Sequence, residues 1–182
     1  MIGKLDYIKE LGADYIWLTP FFVSPQNDNG YDVEDYYNID PRYGTMADVE
    51  ELIAEADKRG IGLMFDMVFN HVSTRHEWFR KAMEGDTYYK DFFFFRKGKP
   101  DGSAPTNWES KFGGSAWEYV EKFDEYYLHL FDVTQADLNW DNENVRREVQ
   151  KIVRFWMDEG VKGFRFDVVN LISKSVFEDD LT

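Results

Sequence analysis

Residues 163–170 read Gly-Phe-Arg-Phe-Asp-Val-Val-Asn, an apolar stretch broken by two charges. Gly163 ends a helical pattern, and Phe164, Phe166, Val168 and Val169 make a short, nearly all-apolar strand. Arg165 and Asp167 interrupt it two residues apart, which points both side chains to one side of the strand. Two charges inside a buried strand are costly unless they pair or do chemistry. A strand-end carboxylate beside a fixed arginine stays ionised at neutral pH, as a carboxylate nucleophile must.

The helix before this strand is marked by Asp141 and Asn142, followed by Val145, Val149, Ile152, Val153 and Trp156 at i, i+4, i+7, i+8 and i+11. Further upstream, Ile61–Val68 is a second apolar strand, broken only by Gly62 and Asp66. Its helix opens on a capping-box pair, Thr45 and Asp48, continues through Val49, Leu52, Ile53 and Ala56, and stops at Gly60. Tyr15–Pro20 is a third apolar run, ended by proline and preceded by a helical pattern over Lys4–Leu11 with Gly12 as its stop. Between Ser24 and about Tyr43 the sequence reads as loop, rich in Asn, Asp and Gly.

Helices alternating with continuously apolar strands predict an α/β fold with a parallel sheet. Spacing narrows it further. About 46 residues separate the first two strands and about 102 the next two, whereas a (β/α)₈ unit averages roughly 30. Some 60 residues are therefore inserted over 71–139, as a small aromatic and polar subdomain at the C-terminal end of one strand. Its Phe92–Phe95 run is expected to be a short strand. The predicted division is 1–70 as barrel, 71–139 as insert and 140–182 as barrel again.

Composition excludes several classes. A net charge of −14 opposes nucleic-acid binding, and no apolar run is long enough to span a membrane. Cysteine is absent, so disulfides and thiolate metal sites are excluded, and a cytoplasmic setting is expected. Aromatic residues make up 18% of the chain, which suits sugar stacking as well as core filling.

Polar residues collect where strands end: Asp28, Tyr31 and Asp32 after the first, Asp66, Asn70 and His71 at the second, Arg165 and Asp167 on the third. In a parallel barrel those ends form the active face. Singly, each has a plainer reading. Asp28 fits an Asx turn as well as a binding role, Asp32 fits a loop brace, Asp66 a group that orients its neighbours, and His71 a satisfied polar side chain. Their convergence favours a site.

Four segments carry a family resemblance: Asp66-x-Val68-x-Asn70-His71, Gly163-Phe164-Arg165-x-Asp167, Gln135-Ala136-Asp137-Leu138-Asn139-Trp140, and Ser24 to Asp32. Together they resemble the α-amylase family of glycoside hydrolases, family 13, and within it the oligo-1,6-glucosidase subfamily. The resemblance implies a partial TIM (β/α)₈ barrel, about strands 2–4, with the family's inserted B subdomain. It implies Asp167 as catalytic nucleophile and Arg165 as its partner. It further implies Asp28, Tyr31 and His71 as residues that grip the glucosyl ring, with Phe112, Phe131 and Gln135 lining the pocket from the B subdomain. The implied substrate is a small carbohydrate, and no cofactor or metal is implied; Asn70 is read as structural. His129 to Asp137 and Asn170 to Lys174 look closest to members that hydrolyse trehalose 6-phosphate, with isomaltose-type oligosaccharides as the alternative. A non-catalytic member of the fold is a further alternative, opposed by the presence of Asp167. The family's proton-donating glutamate is expected beyond Thr182, and Glu178 is too close to Asp167 in sequence to replace it. The 182 residues alone are accordingly expected to lack hydrolytic activity and to self-associate through uncovered barrel edges.

Overall fold

A computed structural model describes residues 1–174 and 176–180. A 3₁₀ turn, Ile2–Lys4, leads into α1 (Leu5–Glu10), which Gly12 ends in a left-handed conformation. Strand β1 (Tyr15–Leu18) follows, then the short pair β2 (Phe22–Val23) and β3 (Asp35–Ile39). Helix α2 (Met46–Lys58) begins at a complete capping box: the Thr45 hydroxyl accepts from Asp48 N, and Asp48 Oδ2 accepts from Thr45 N at 2.6 Å. Strand β4 (Gly62–Val68) follows.

The inserted segment opens with β5 (His71–Ser73), α3 (Glu77–Glu84) and α4 (Thr87–Lys90). It continues through β6 (Phe95–Arg96), β7 (Trp117–Val120), β8 (Glu125–Leu128) and β9 (Gln135–Asp137). Strands β6, β8 and β7 form an antiparallel sheet, and β5 pairs antiparallel with β9, so both ends of the segment are tied together. The chain then forms α5 (Glu143–Asp158), β10 (Gly163–Asp167) and a 3₁₀ turn, Val169–Leu171.

Strands β1, β4 and β10 form the predicted parallel sheet, with β4 in the centre. Leu63, Phe65, Met67 and Val68 of β4 are buried in the core. The apolar stripes of α2 (Val49, Leu52, Ala56) and α5 (Val145, Val149, Ile152, Trp156) pack in the same cluster. Trp156 fixes that packing. Its ring lies 5.2 Å from Phe65 and 5.4 Å from Phe22, and its Nε1 donates to Tyr36 O at 2.9 Å.

Five expectations are corrected. Helix α5 is stopped by Gly160, at φ 101°, so Gly163 is free to start β10 beside Met64. Strand β10 ends at Asp167, because Val168 takes a left-handed conformation and Val169 begins the 3₁₀ turn. The strand is also only half-buried, with Phe166 45% exposed, since one edge is unpaired among the described residues. The loop read over Ser24–Tyr43 contains β3: its Asp and Asn residues disfavour strand, but Tyr36 donates its hydroxyl to Val68 O and receives Trp156 on its carbonyl. Finally, only Phe95 of the Phe92–Phe95 run begins a strand, while Phe93 bridges Leu138; all four are buried as core on both sides of the run.

Candidate active site

Register builds the centre of the site. Parallel pairing sets Arg165 of β10 directly beside Asp66 of β4, and Asp167 two residues on lies on the same side as Arg165. Arg165 Nη1 reaches Asp66 Oδ2 at 2.7 Å and Asp167 Oδ1 at 2.8 Å. Its guanidinium also lies 5.0 Å from the centroid of the Trp17 ring, whose Nε1 donates to Asp66 Oδ2 at 3.2 Å. Asp66 is fully buried, and its other oxygen, Oδ1, has no protein partner. Burial pushes its pKa up, against the pull of Arg165. Arg165 itself is held more firmly protonated: burial works against its charge, but the hydrogen bond to Asp66 and the charges of Asp66 and Asp167 together outweigh it.

Tyr31 joins this centre to the loop after β1. Its hydroxyl donates to Asp66 Oδ2 at 3.4 Å, and burial together with the Asp66 charge raises its pKa. Its carbonyl lies 3.2 Å from His71 Nε2. The loop is braced by buried Asp32, which accepts from Ser24 Oγ, Asn27 N and Asp28 N at 2.8–3.1 Å. The expected bracing role of Asp32 is what the geometry shows. Asp28 does not close an Asx turn: its Oδ2 accepts from Gln135 Nε2 at 2.9 Å, across to β9. Gln135 Nε2 also lies 3.1 Å from His71 Nε2, and Gln135 Oε1 accepts from Asp132 N at 2.9 Å.

His71 is fully buried, and that burial lowers its pKa. Phe131 packs at 5.0 Å from its ring, and Phe112 meets Phe131 edge-on at 5.9 Å. Phe112 is 59% exposed and forms the rim. All the expected site residues are thus brought together: Asp28, Tyr31, His71, Phe131, Gln135, Arg165 and Asp167 form one connected surface, with Phe112 at its edge.

Three neighbours of this site have no role that the sequence alone discloses. Trp17 sits in β1 one strand away from Asp66, and only the β1–β4 register reveals it. Asp137 and Lys174 form a buried ion pair at 3.0 Å behind His71, which sequence separation conceals. Among the described residues no group of three or more His, Cys, Asp or Glu side chains is arranged to hold a metal ion. No described helix is long and apolar enough to cross a membrane.

Chemically, the surface offers one carboxylate paired with arginine, at the end of a strand, beside hydrogen-bonding groups and aromatic faces. That suits attack on an electrophilic carbon of a hydroxyl-rich ligand.

Comparison with known proteins shows the family of the chain. The family described as "Alpha amylase, catalytic domain" matches residues 1–181. The trehalose-6-phosphate hydrolase of Bacillus subtilis (strain 168) is 58% identical over 175 residues, which is 96% of this chain and 31% of that protein. The oligo-1,6-glucosidase of Parageobacillus thermoglucosidasius is 54% identical over 175 residues, 96% of this chain and 31% of that protein. The crystal structure of Bacillus licheniformis trehalose-6-phosphate hydrolase matches with a TM-score of 0.96 and 60% identity, covering 98% of this chain and 33% of that one. The chain spans about a third of the length of these relatives.

Proposed function

The chain belongs to the α-amylase catalytic-domain family, and we propose that it carries the nucleophile side of a retaining glycosidase that cleaves trehalose 6-phosphate into glucose and glucose 6-phosphate. The observation that carries this reading is the Asp66–Arg165–Asp167 cluster at the ends of β4 and β10, joined through Tyr31 to His71 and Gln135.

In this reading Asp167 attacks the anomeric carbon. The bond to the glycosidic oxygen breaks, its electron pair stays on that oxygen, and a carboxylic acid protonates it. A glucosyl ester on Asp167 results, which water then hydrolyses with the same acid acting as base. Retaining enzymes hold the two carboxyl groups roughly 5–5.5 Å apart. Asp66 does not suit the acid role, because its Oδ2 is occupied by Trp17, Tyr31 and Arg165 and its side chain is buried. The acid is taken to lie outside the described residues. Arg165 keeps positive charge against Asp167 and aims it. Asp28, His71 and Gln135 hold sugar hydroxyls, and Phe112 and Phe131 offer aromatic faces. The division into barrel, 1–70 and 140–182, and B subdomain, 71–139, belongs to the same reading, supported by the β5–β9 pairing at the neck of the insert. A phosphorylated disaccharide does not cross a bilayer, so this substrate also supports a cytoplasmic setting.

An isomaltose-type substrate is the second reading, favoured by the 54% identity to an oligo-1,6-glucosidase. A protein carrying this sequence should turn over trehalose 6-phosphate with a higher kcat/KM than isomaltose. A 2-deoxy-2-fluoroglucosyl probe should label the peptide containing Asp167, as read by mass spectrometry. Preference for isomaltose overturns the substrate, and a label on any other residue overturns the nucleophile.

A further inference from the structure

The buried ion pair behind His71 does more than join two segments. Lys174 Nζ donates to Asn70 Oδ1 at 2.9 Å and to Leu171 O at 2.7 Å, and lies 3.0 Å from Asp137 Oδ2. These acceptors match the three donors of the ammonium group. The side chains of Lys174 and Asp137 are 3% and 0% exposed, so neither charge is met by water.

This arrangement fixes the Asn70 amide. A flipped amide would turn its NH₂ toward the ammonium and its carbonyl toward the Asp137 carboxylate, two repulsions in place of two attractions. Asn70 Nδ2 therefore faces Asp137 Oδ2 at 3.1 Å and His71 Nδ1 at 3.1 Å, with one N–H for each. His71 Nδ1 must then accept, which puts the ring proton on Nε2. That Nε2–H is aimed at Tyr31 O, on the side of Gln135 and Asp28. An imidazolium at this place would add an N–H at Nδ1, directed at the Asn70 NH₂, whereas the Gln135 NH₂ beside Nε2 donates to Asp28 Oδ2.

We propose that Lys174 is a positioning residue for the candidate site: through Asn70 it holds His71 as the neutral Nε2–H tautomer. Lys174 follows Asp167 by seven positions, so the segment that carries the proposed nucleophile also sets the histidine on the opposite side of the site. The inference rests on the glycosidase reading only for its consequence in activity; the tautomer is a property of the chain itself.

The test is nitrogen-15 NMR of the histidine rings in a protein carrying this sequence, with His71 assigned from the signals lost in His71→Gln. The wild type should show His71 Nδ1 bare and Nε2 protonated across the neutral range. Lys174→Met should mix the two tautomers. It should also raise KM for the glucoside by about tenfold, the lower end of what loss of a histidine-orienting partner brings elsewhere. Lys174→Met leaves Asp137 unpaired and can fail to fold, so Lys174→Met/Asp137→Asn, which removes both charges, is measured beside it. A wild-type ring protonated at Nδ1 overturns the inference whatever the variants do. An unchanged tautomer in a folded variant overturns it as well. A Lys174-dependent tautomer in a protein that cleaves no glucoside would keep it and sink the glycosidase reading instead.

Discussion

Asp66 and Asp167 share one nitrogen: Arg165 Nη1 stands 2.7 Å from the first carboxylate and 2.8 Å from the second. The arginine therefore serves a buried acid and a partly accessible one at once. Replacing it with glutamine removes the cation from both. The expected result is a fall in kcat on the order of 10²–10³-fold, the size of losing one preorganised electrostatic group. Lysine should not rescue it, since it lacks the planar guanidinium that lies over the Trp17 ring while one of its nitrogens meets both carboxylates. Steady-state kinetics of the two variants check this, and near-wild-type kcat in Arg165→Lys would sink it.

Two buried histidines make stability depend on pH. His76 is nine-tenths buried with its Nδ1 accepting from Trp78 N, and burial lowers its pKa from 6.5 to about 4. Burial also lowers that of His71. A histidine kept neutral in the folded state binds its proton more readily when unfolded. Its contribution is therefore complete above pH 6.5 and is lost as pH falls toward its folded pKa. For His76 the loss amounts to roughly 3 kcal/mol by pH 4. Urea melts across that range should show the decline, and His76→Gln should flatten it. An equal slope in wild type and variant would remove His76 from the account.

These two cases mark what the sequence discloses. Arg165 and Asp167 announced themselves because charge interrupts an apolar strand, and their spacing alone puts them on one side. Asp66 was legible as an orienting group, and the apolar runs of β1, β4 and β10 were legible as a parallel sheet. Trp17 and Lys174 were not. Each acts on a partner far along the chain, at Asp66 and Asn70, and only sheet register and the folded insert bring those pairs together. Strand β3 was hidden for a related reason: its residues prefer loops, and contacts from Val68 and Trp156 decide the outcome.

Val168 stands immediately after Asp167 with φ 39° and ψ 37°, a left-handed conformation that a β-branched side chain resists. Such strain amounts to roughly 1–2 kcal/mol. Val168→Gly should relieve it and raise stability by up to about 1 kcal/mol after the entropy that glycine adds to the unfolded chain. It should also loosen the aim of Asp167 and lower kcat. Thermal melts and kinetics together test the trade-off; a variant with unchanged or reduced stability would show that no strain is stored there.

Phe112 and Gln135 should separate binding from folding. Phe112 is 59% exposed, so Phe112→Ala should shift stability by no more than about 0.5 kcal/mol while raising KM through loss of an aromatic face. Gln135 is fully buried and links Asp28 to Asp132. Gln135→Leu strands the Asp132 amide and the Asp28 carboxylate, and should lower stability by about 1–3 kcal/mol besides weakening substrate. Denaturant midpoints and KM values for both variants check the contrast, and equal stability losses would refute it.

Taken by itself, the 182-residue polypeptide should associate and should not hydrolyse p-nitrophenyl α-glucoside. Strands β1 and β10 each leave one edge unpaired among the described residues, and Tyr15, Trp17 and Phe166 beside those edges are 56%, 48% and 45% exposed. Open edges flanked by aromatic surface are templates for pairing with another copy. Among the described residues, the one carboxyl near Asp167 that burial makes a better proton holder, Asp66, is locked under Arg165. Without a free acid, the leaving oxygen would depart as an alkoxide, a step that general acid catalysis normally speeds by about 10²–10⁴-fold. Light scattering of the purified polypeptide should report species larger than a monomer. A monodisperse, 21.6 kDa species with measurable turnover would overturn both expectations, because it would need a proton donor and covered edges that the described residues do not supply.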